Sequence, residues 1–352
     1  MQLAPGPVDM SPDVLAIGAS QPTYFRTAAF SHWLLALKAK FLHVLGVGSG
    51  REVIFLTGSG TAGMEAVAVN FMPDPRPLLI SSGQFGDRMG EILQRRCHPF
   101  DKVTIDTNVS PEANLARIAL ERYTSCFLTI CETTNGYYLD PQYIWDNGFN
   151  KNSILICDGI SSAFVDNFDF NKTDVIVIGS QKALGLLPGM CFIILSEKAA
   201  SLLKTKNYCD SLYFDFNIYI ENLKRGQIPF TPSLTILQQL DRALNDILVA
   251  GGLIATTNFK KMLANRFRER ITRHGVTYIN HYVSNSVTVI NTENIDAQII
   301  VEYLKEKFDI TVATNSPPFN KNRFRVSHMG YNKLEDMDIA ADAIVSTIQE
   351  LS

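Results

Sequence analysis

A single lysine, Lys182, stands between Gln181 and Ala183 in VIVIGSQKALGLLPGMCFIIL, residues 175–195. Both flanks read as buried strands, and an ammonium is costly to bury unless it is paired or loses its charge. A loop lysine that reaches water meets that constraint, and so does a lysine kept for covalent chemistry. Asp158 ends the apolar run ILIC one strand earlier; alone it reads equally as an N-cap or turn residue. Ser59, Gly60 and Thr61 follow the apolar run VIFL in TGSGTAGMEA. At the start of a helix, free N–H groups and the helix dipole make an anion site there. The stretch has neither the Gly-Lys-Ser/Thr of a Walker A motif nor a full dinucleotide fingerprint, so by itself it is only a turn. Thr133 and Thr134, after FLTICE, supply hydroxyls that ordinary turns also use.

In open α/β sheets, ligands bind beyond the carboxyl ends of the strands, and all these residues sit at such ends. An anion cup, an acid on one strand end and a lysine on the next are together the needs of pyridoxal phosphate. The lysine amine forms the Schiff base, the acid keeps the pyridine nitrogen protonated so that the ring is an electron sink, and the helix start holds the phosphate.

A sheet must position them. The first 22 residues are Pro-rich and read as extended. FSHWLLALKAKFLHVLG has apolar positions at helical spacing and ends at a glycine, a C-cap signal. REVIFLTGSGTAGMEAVAVNFM reads as a strand over 53–56, a Gly-rich turn and a helix. RPLLISSG is a short strand, and SPEANLARIALERYT an amphipathic helix with Ser110 as N-cap. SCFLTICETTNGYYLD is a strand running into a polar loop, NSILICDGISSAF a strand ending in an acid, DVIVIGSQKALG a strand ending in the lysine, and MCFIILS a further strand. Short apolar strands with mostly helical connections imply an α/β fold with a largely parallel sheet covered on both faces. The last two strands are too close in sequence for a helix between them and call for an antiparallel or edge arrangement. A long helical stretch from about Pro232 to Gly275 breaks at Gly251–Gly252, and the remaining strands and helices make a small α+β domain. The expected organisation is an N-terminal segment joining the active site (1–22), a large cofactor domain (23–235), an interdomain helical segment (236–274) and a small C-terminal domain (275–352).

The composition suits this. Of 352 residues, 46% are hydrophobic and 19% charged, as in an ordinary globular protein. A net charge of −3 gives no reason to expect a nucleic-acid partner. None of the six cysteines forms a CxxC pair, and most lie in apolar strand-like runs, as expected of reduced core thiols in a cytoplasmic protein. MQLAPGPVDMSP lacks the pattern of a signal peptide, and no apolar run is long enough to span a bilayer.

Several motifs extend the pattern. LAPGPVDMSPDVL, SGQFGDR, ETTNG, DGISS, GSQKALGLLPG and FRVSHMG together resemble the class V aminotransferases, fold-type I pyridoxal-phosphate enzymes. The resemblance covers nearly the whole chain and is to alanine–glyoxylate, serine–pyruvate and 2-aminoethylphosphonate–pyruvate aminotransferases. It implies that Lys182 is the Schiff-base lysine and proton shuttle and that Asp158 is the pyridinium partner. It implies further that Phe85 stacks on the cofactor ring with Ile160 on the opposite face, and that Thr133 lies by the phenolic oxygen. Ser59, Gly60, Thr61 and Gln181 match phosphate contacts, and Thr231 matches a threonine that reaches the neighbouring subunit's phosphate. Ile228 stands where relatives often carry an aromatic hydroxyl. Arg325 matches the clamp on the substrate α-carboxylate; Arg323, on the same face of a strand, is the fallback. Gly6 matches a residue whose backbone lines the substrate pocket. The resemblance implies a homodimer with shared active sites.

The expected reaction is ping-pong transfer of an amino group from a small amino acid or amine to a 2-oxo acid such as pyruvate or glyoxylate. A lyase or decarboxylase on the same scaffold is the alternative, and a catalytically inactive scaffold the remote one. Desulfurase chemistry needs a cysteine on a late mobile loop, and none follows Cys209. Arg26 and His328 read either as pocket residues for a second anionic group or as structural ones.

Overall fold

The computed structural model describes residues 1–71, 77–206, 209–279, 281–292, 295–315, 317 and 319–352. Its first helix, α1 (Pro12–Gly18), corrects the reading of residues 1–22 as extended. Ser11 accepts from the Val14 N–H and Pro12 opens the helix, so the Ser-Pro pair is a start signal that the surrounding prolines obscured. Helix α2 (Ala28–Val44) is capped by Thr27 and is followed by Gly46 at φ +68°, as its pattern required. Strand β1 (Glu52–Thr57) leads through the Gly58–Ser59 turn into α3 (Gly60–Phe71). Met72, read as the end of that helix, lies outside the described residues.

The chain continues through β2 (Leu78–Ser81), α4 (Gln84–Arg95) and β3 (Asp101–Thr104). Ser110 does cap a helix, but α5 (Pro111–Leu115) has only five residues, not the long amphipathic helix expected. Asn114 ends that expectation, because its side-chain amide turns back onto the carbonyls of Asp106, Val109 and Ser110. Strand β4 (Ser125–Thr129) is followed by a small ribbon of β5 (Cys131–Glu132) and β6 (Tyr137–Tyr138), then α6 (Pro141–Asp146). Strands β7 (Ile154–Asp158), β8 (Val175–Gly179) and β9 (Met190–Leu195) complete the sheet.

The seven strands lie in the order β1-β9-β8-β7-β4-β2-β3. All pairs from β8 to β3 are parallel, while β9 is antiparallel to both neighbours. The lysine-bearing connection therefore is an antiparallel return, and β9 is inserted inside the sheet with β1 at the edge. Every strand but β9 points its carboxyl end to one side. Register puts Thr129, Asp158 and Val177 side by side there. The strands are buried on both faces, which explains their unbroken apolar runs.

Helices α7 (Glu197–Lys206) and α8 (Phe216–Lys224) precede α9 (Leu234–Val249) and α10 (Gly252–Arg273). The break between the last two comes at Gly251 and Gly252, both at positive φ, as expected. A second sheet, β10-β12-β11, is built from β10 (Val287–Asn291), β11 (Ala313–Thr314) and β12 (Arg323–Ser327) and carries α11 (Ala297–Phe308) and α12 (Leu334–Leu351). Phe324 and Val326 face a second core that also takes Phe267 and Ile271 from α10 and Leu3 from the N-terminus. Alternation on β12 turns Arg323 and Arg325 to the opposite face. Leu3 joins this sheet through hydrogen bonds with Thr311 and Ser327. The N-terminal chain thus starts on the small sheet and crosses to the large one.

Candidate active site

Strand β8 ends at Gly179, so Lys182 lies three residues into the return turn rather than at the strand end. Ser180 fixes that turn: its hydroxyl donates to the Leu187 carbonyl at 2.7 Å and accepts from the Met190 N–H at 3.3 Å. Lys182 Nζ donates to the carbonyl of Pro5, 177 positions away in sequence. Burial pushes the ammonium down to about 8; Asp158 opposes this, and the charges of Arg325 and Arg88 add to it.

Asp158 ends β7. Its Oδ1 accepts from the Ile160 N–H at 2.9 Å, which aims the carboxylate, and its Oδ2 has no hydrogen-bond donor among the described residues. Burial raises this carboxyl to about 6, against the Ile160 bond and the charges of Lys182 and Arg88. An acid and a lysine, each shifted toward neutrality by burial and each moved by the other, stand at the end of β7 and on the turn after β8.

The cup at the start of α3 lies beside them. Ser59 is exposed, and its Oγ accepts from the Ala62 N–H. Gly60 is required by close approach, since a β-carbon there would lie 2.4 Å from Cδ1 of Ile160. Ile160 thereby sits between the cup and the end of β8, where it also backs Gly179. Arg88 Nη1 reaches Thr61 Oγ1 at 3.4 Å, and its guanidinium lies 4.8 Å from the Phe85 ring centre. Arg88 makes no ion pair among the described residues.

Phe85, on the first turn of α4, is held from below by Glu132. This buried carboxylate accepts from the N–H groups of Phe85 (2.8 Å), Gly86 (3.4 Å) and Thr134 (3.1 Å) and from the Thr134 hydroxyl (2.7 Å). It ties a helix N-terminus to the loop that carries Thr133. Desolvation raises its pKa, and the four hydrogen bonds oppose the rise. Glu132 and Arg88 were not singled out from sequence. The signal was there: Arg88 stands three residues after Phe85, one helical turn on the same face, and Glu132 opens the ETTNG stretch.

Arg325 projects from β12 toward this cluster. Its Nη2 donates to the Thr314 carbonyl at 2.8 Å, while its buried Nε has no partner. Burial lowers its pKa, and Glu132 opposes that. Arg323 instead lines a polar cleft of about 700 Å³ with Asn291, Asn315 and Phe319, its guanidinium 4.3 Å from the Phe319 ring centre. Ser316 and Pro318, in the loop before it, lie outside the described residues. His328 is no pocket residue. It is wholly buried between Thr288 Oγ1 (2.8 Å) and Met337 Sδ (3.3 Å), and burial pushes its pKa well down. Arg26 is exposed; it donates to Gln227 Oε1 and to the carbonyls of Ile228 and Pro229, holding the segment that carries Thr231, and it lines an open cleft with Leu212 and Phe230. Thr231 itself is exposed, and no contact among the described residues joins it to Lys182.

Gly6 passes over the lysine at φ +108°; a β-carbon there would lie 2.9 Å from Lys182 Cδ and 3.1 Å from the Gln181 carbonyl oxygen. Around the Lys182–Asp158 pair, three buried polar atoms lack partners: Thr133 Oγ1, Gln181 Oε1 and Arg325 Nε. Orphaned polar atoms are rare in folded proteins and mark a place for a polar ligand. With an anion cup, an open carboxylate oxygen and a partly neutral amine, this donor set fits pyridoxal phosphate.

Comparison with known proteins agrees with the geometry. The family described as aminotransferase class-V matches residues 20–338. A soluble hydrogenase small subunit of Synechococcus sp. is 26% identical over 100% of this chain and 93% of its own length. A serine–glyoxylate aminotransferase of Arabidopsis thaliana is 26% identical, over 93% of this chain and 84% of its own. In fold, the chain is similar to an aspartate aminotransferase from Thermus thermophilus, with a TM-score of 0.89 at 23% identity, over 100% of this chain and 99% of that one.

Proposed function

The chain belongs to the aminotransferase class-V family and is a pyridoxal-phosphate-dependent transaminase, and on that premise we propose that it moves the amino group of a small amino acid or amine to a 2-oxo acid such as pyruvate or glyoxylate by a ping-pong mechanism. Alanine, serine and aminoethylphosphonate are the donor types in view. The observation that carries the reading is the Lys182–Asp158 pair, one on the turn after β8 and the other at the end of β7, with unfilled polar atoms around it.

Lys182 would hold the cofactor, Asp158 its ring nitrogen, and Ser59, Gly60, Thr61 and Gln181 its phosphate, with Phe85 and Ile160 on the two ring faces and Thr133 beside the phenolic oxygen. Bound there, the cofactor supplies an electron sink for charge developing at the substrate's Cα. Lys182 Nζ, with burial bringing its pKa near the working range, takes the Cα proton and returns it. Arg325 offers an unpaired Nε and the rest of its fork to an α-carboxylate, which orients the Cα–H toward Lys182. Glu132 ties Phe85 to Thr134, the neighbour of Thr133, and so keeps the walls of the site in register.

We read the active form as a cytoplasmic homodimer in which Thr231 completes the partner's phosphate site. Tyr24, Leu212 and Tyr213 are exposed near the segment that Arg26 holds, which supports an interface there. None of the described helices is long and apolar enough to cross a membrane. The residue roles would divide the chain into the large cofactor domain at 23–235, joined by 1–22, and the small one at 275–352, with 236–274 between them.

Two-substrate kinetics test the reading. Parallel double-reciprocal lines are expected, with pyruvate formed from alanine beyond about one equivalent per active site only when an amino acceptor is present. Sustained release of pyruvate and ammonia from serine with no acceptor would show elimination instead.

A further inference from the structure

Behind the Lys182 turn lies a second chamber, of about 500 Å³. Val14, Phe164, Leu184 and Ile247 give it a mainly apolar wall. Lys260 also lines it, on α10, and is only 6% exposed. An ammonium has three protons to donate, and this one gives a hydrogen bond to the Gly330 carbonyl. Among the described residues Lys260 has no ion-pair partner. The acid in the wall, Asp246, is already engaged by Arg242 at 2.8 Å. Desolvation lowers the Lys260 pKa to about 8, with no neighbouring carboxylate to restore it. A buried cation without a counter-ion is costly, and the open volume beside it is where one can enter.

We propose that this chamber is a binding site for a monocarboxylate with an apolar body, the carboxylate pairing with Lys260 and the body filling the space between α1, α9 and α10. The site is separate from the Lys182–Arg325 cluster but shares two walls with it. Residues 183–185, which line the chamber, directly follow Lys182. The Gly330 loop packs on Val8, and Tyr331 N–H donates to the Asp9 carbonyl at 2.9 Å, on the segment that continues from Pro5 and Gly6. An occupant of the chamber therefore touches the stretch that follows Lys182 directly, and reaches the segment that carries Pro5 through the Gly330 loop.

The test is calorimetry on the cofactor-loaded full chain with hexanoate and hexan-1-ol, and it does not depend on the transaminase reading. One hexanoate per chain is expected, with hexan-1-ol at least about tenfold weaker because it cannot pair with the ammonium. Lys260→Met should weaken hexanoate at least about tenfold and leave hexan-1-ol unchanged. Ala255→Phe, which fills the chamber and leaves Lys260 in place, should abolish both, so the proposal stays testable if the lysine variant does not fold. Arg325→Gln should leave hexanoate binding intact. Hexanoate that does not bind, binds no better than hexan-1-ol, binds Lys260→Met as well as the parent, or is lost with Arg325, overturns the proposal.

Discussion

A β-carbon on Gly6 would lie 2.9 Å from Cδ of Lys182, and the preceding carbonyl, that of Pro5, accepts a hydrogen bond from the lysine's Nζ. The N-terminal segment is thus a lid on the reactive amine, and it must come close. Gly6→Ala meets both this contact and a φ of +108°, which a side chain tolerates poorly. The variant should fold with a loss of about 1–2 kcal/mol and should take up pyridoxal phosphate about tenfold more slowly, read by the rise of visible absorbance after mixing. An unchanged rate would mean that the lid does not bear on the amine.

Lys182→Ala should lose turnover by about 10³-fold or more and should release all cofactor on denaturation with no borohydride-fixed fraction in the mass spectrum. The parent should retain one fixed cofactor on the peptide containing Lys182. Retained full activity in the variant would remove Lys182 from the mechanism.

Burial holds the free Lys182 ammonium near 8, so the neutral amine that attacks the cofactor grows in as pH rises through that value. The rate of cofactor attachment to the cofactor-free protein should climb through about pH 8 and level off above it. A rate still climbing steeply above pH 9.5 would place an ordinary, solvated lysine at this position.

Asp158 carries the opposite cost. Its carboxyl sits near 6 in the folded chain, above its unfolded value, so ionising it opposes folding. The loss begins as pH rises past about 4 and is complete above about 6. Asp158→Asn should therefore make the cofactor-free protein more stable at pH 7.5, by about 1–2 kcal/mol, with the gain vanishing at pH 4, while cofactor affinity falls. Urea midpoints at the two pH values read the first effect and equilibrium dialysis the second. A stability gain that is equal at both pH values would separate it from ionisation.

Arg325→Gln should raise KM for alanine about 10- to 100-fold, the worth of a charge-assisted hydrogen bond or two. Arg323→Gln should leave it within about twofold, since that side chain lines the neighbouring cleft. Equal effects of the two substitutions would mean that substrate spans both arginines.

The chemistry was legible in the sequence because strand ends are marked locally. ILIC stops at Asp158, VIFL stops at the cup and VIVIG stops just before Lys182, and apolar runs of that length can hardly be anything but buried strands. The residues that hold this chemistry in place were harder to see. Glu132 earns its role from N–H groups 46 and 47 positions away, and nothing in its neighbours announces that. His328 follows directly on β12, three residues beyond Arg325, and read equally as a pocket residue or a structural one; the chain leaves the strand at Ser327 and the ring turns into the core beside Phe267. The N-terminal helix was missed because proline was read as a sign of extension where it was the first residue of a helix.

By itself, then, the sequence determined the family's motifs and the strands that lead to the candidate residues, since side-chain type and apolar run length are local properties. Tertiary structure alone decided what surrounds the amine: that residues 1–3 join the small sheet, that Pro5 and Gly6 consequently pass over Lys182, and that β12 turns Arg325 toward it. Those placements depend on how two cores pack against each other across the whole chain, and no window of sequence contains both sides of such a contact.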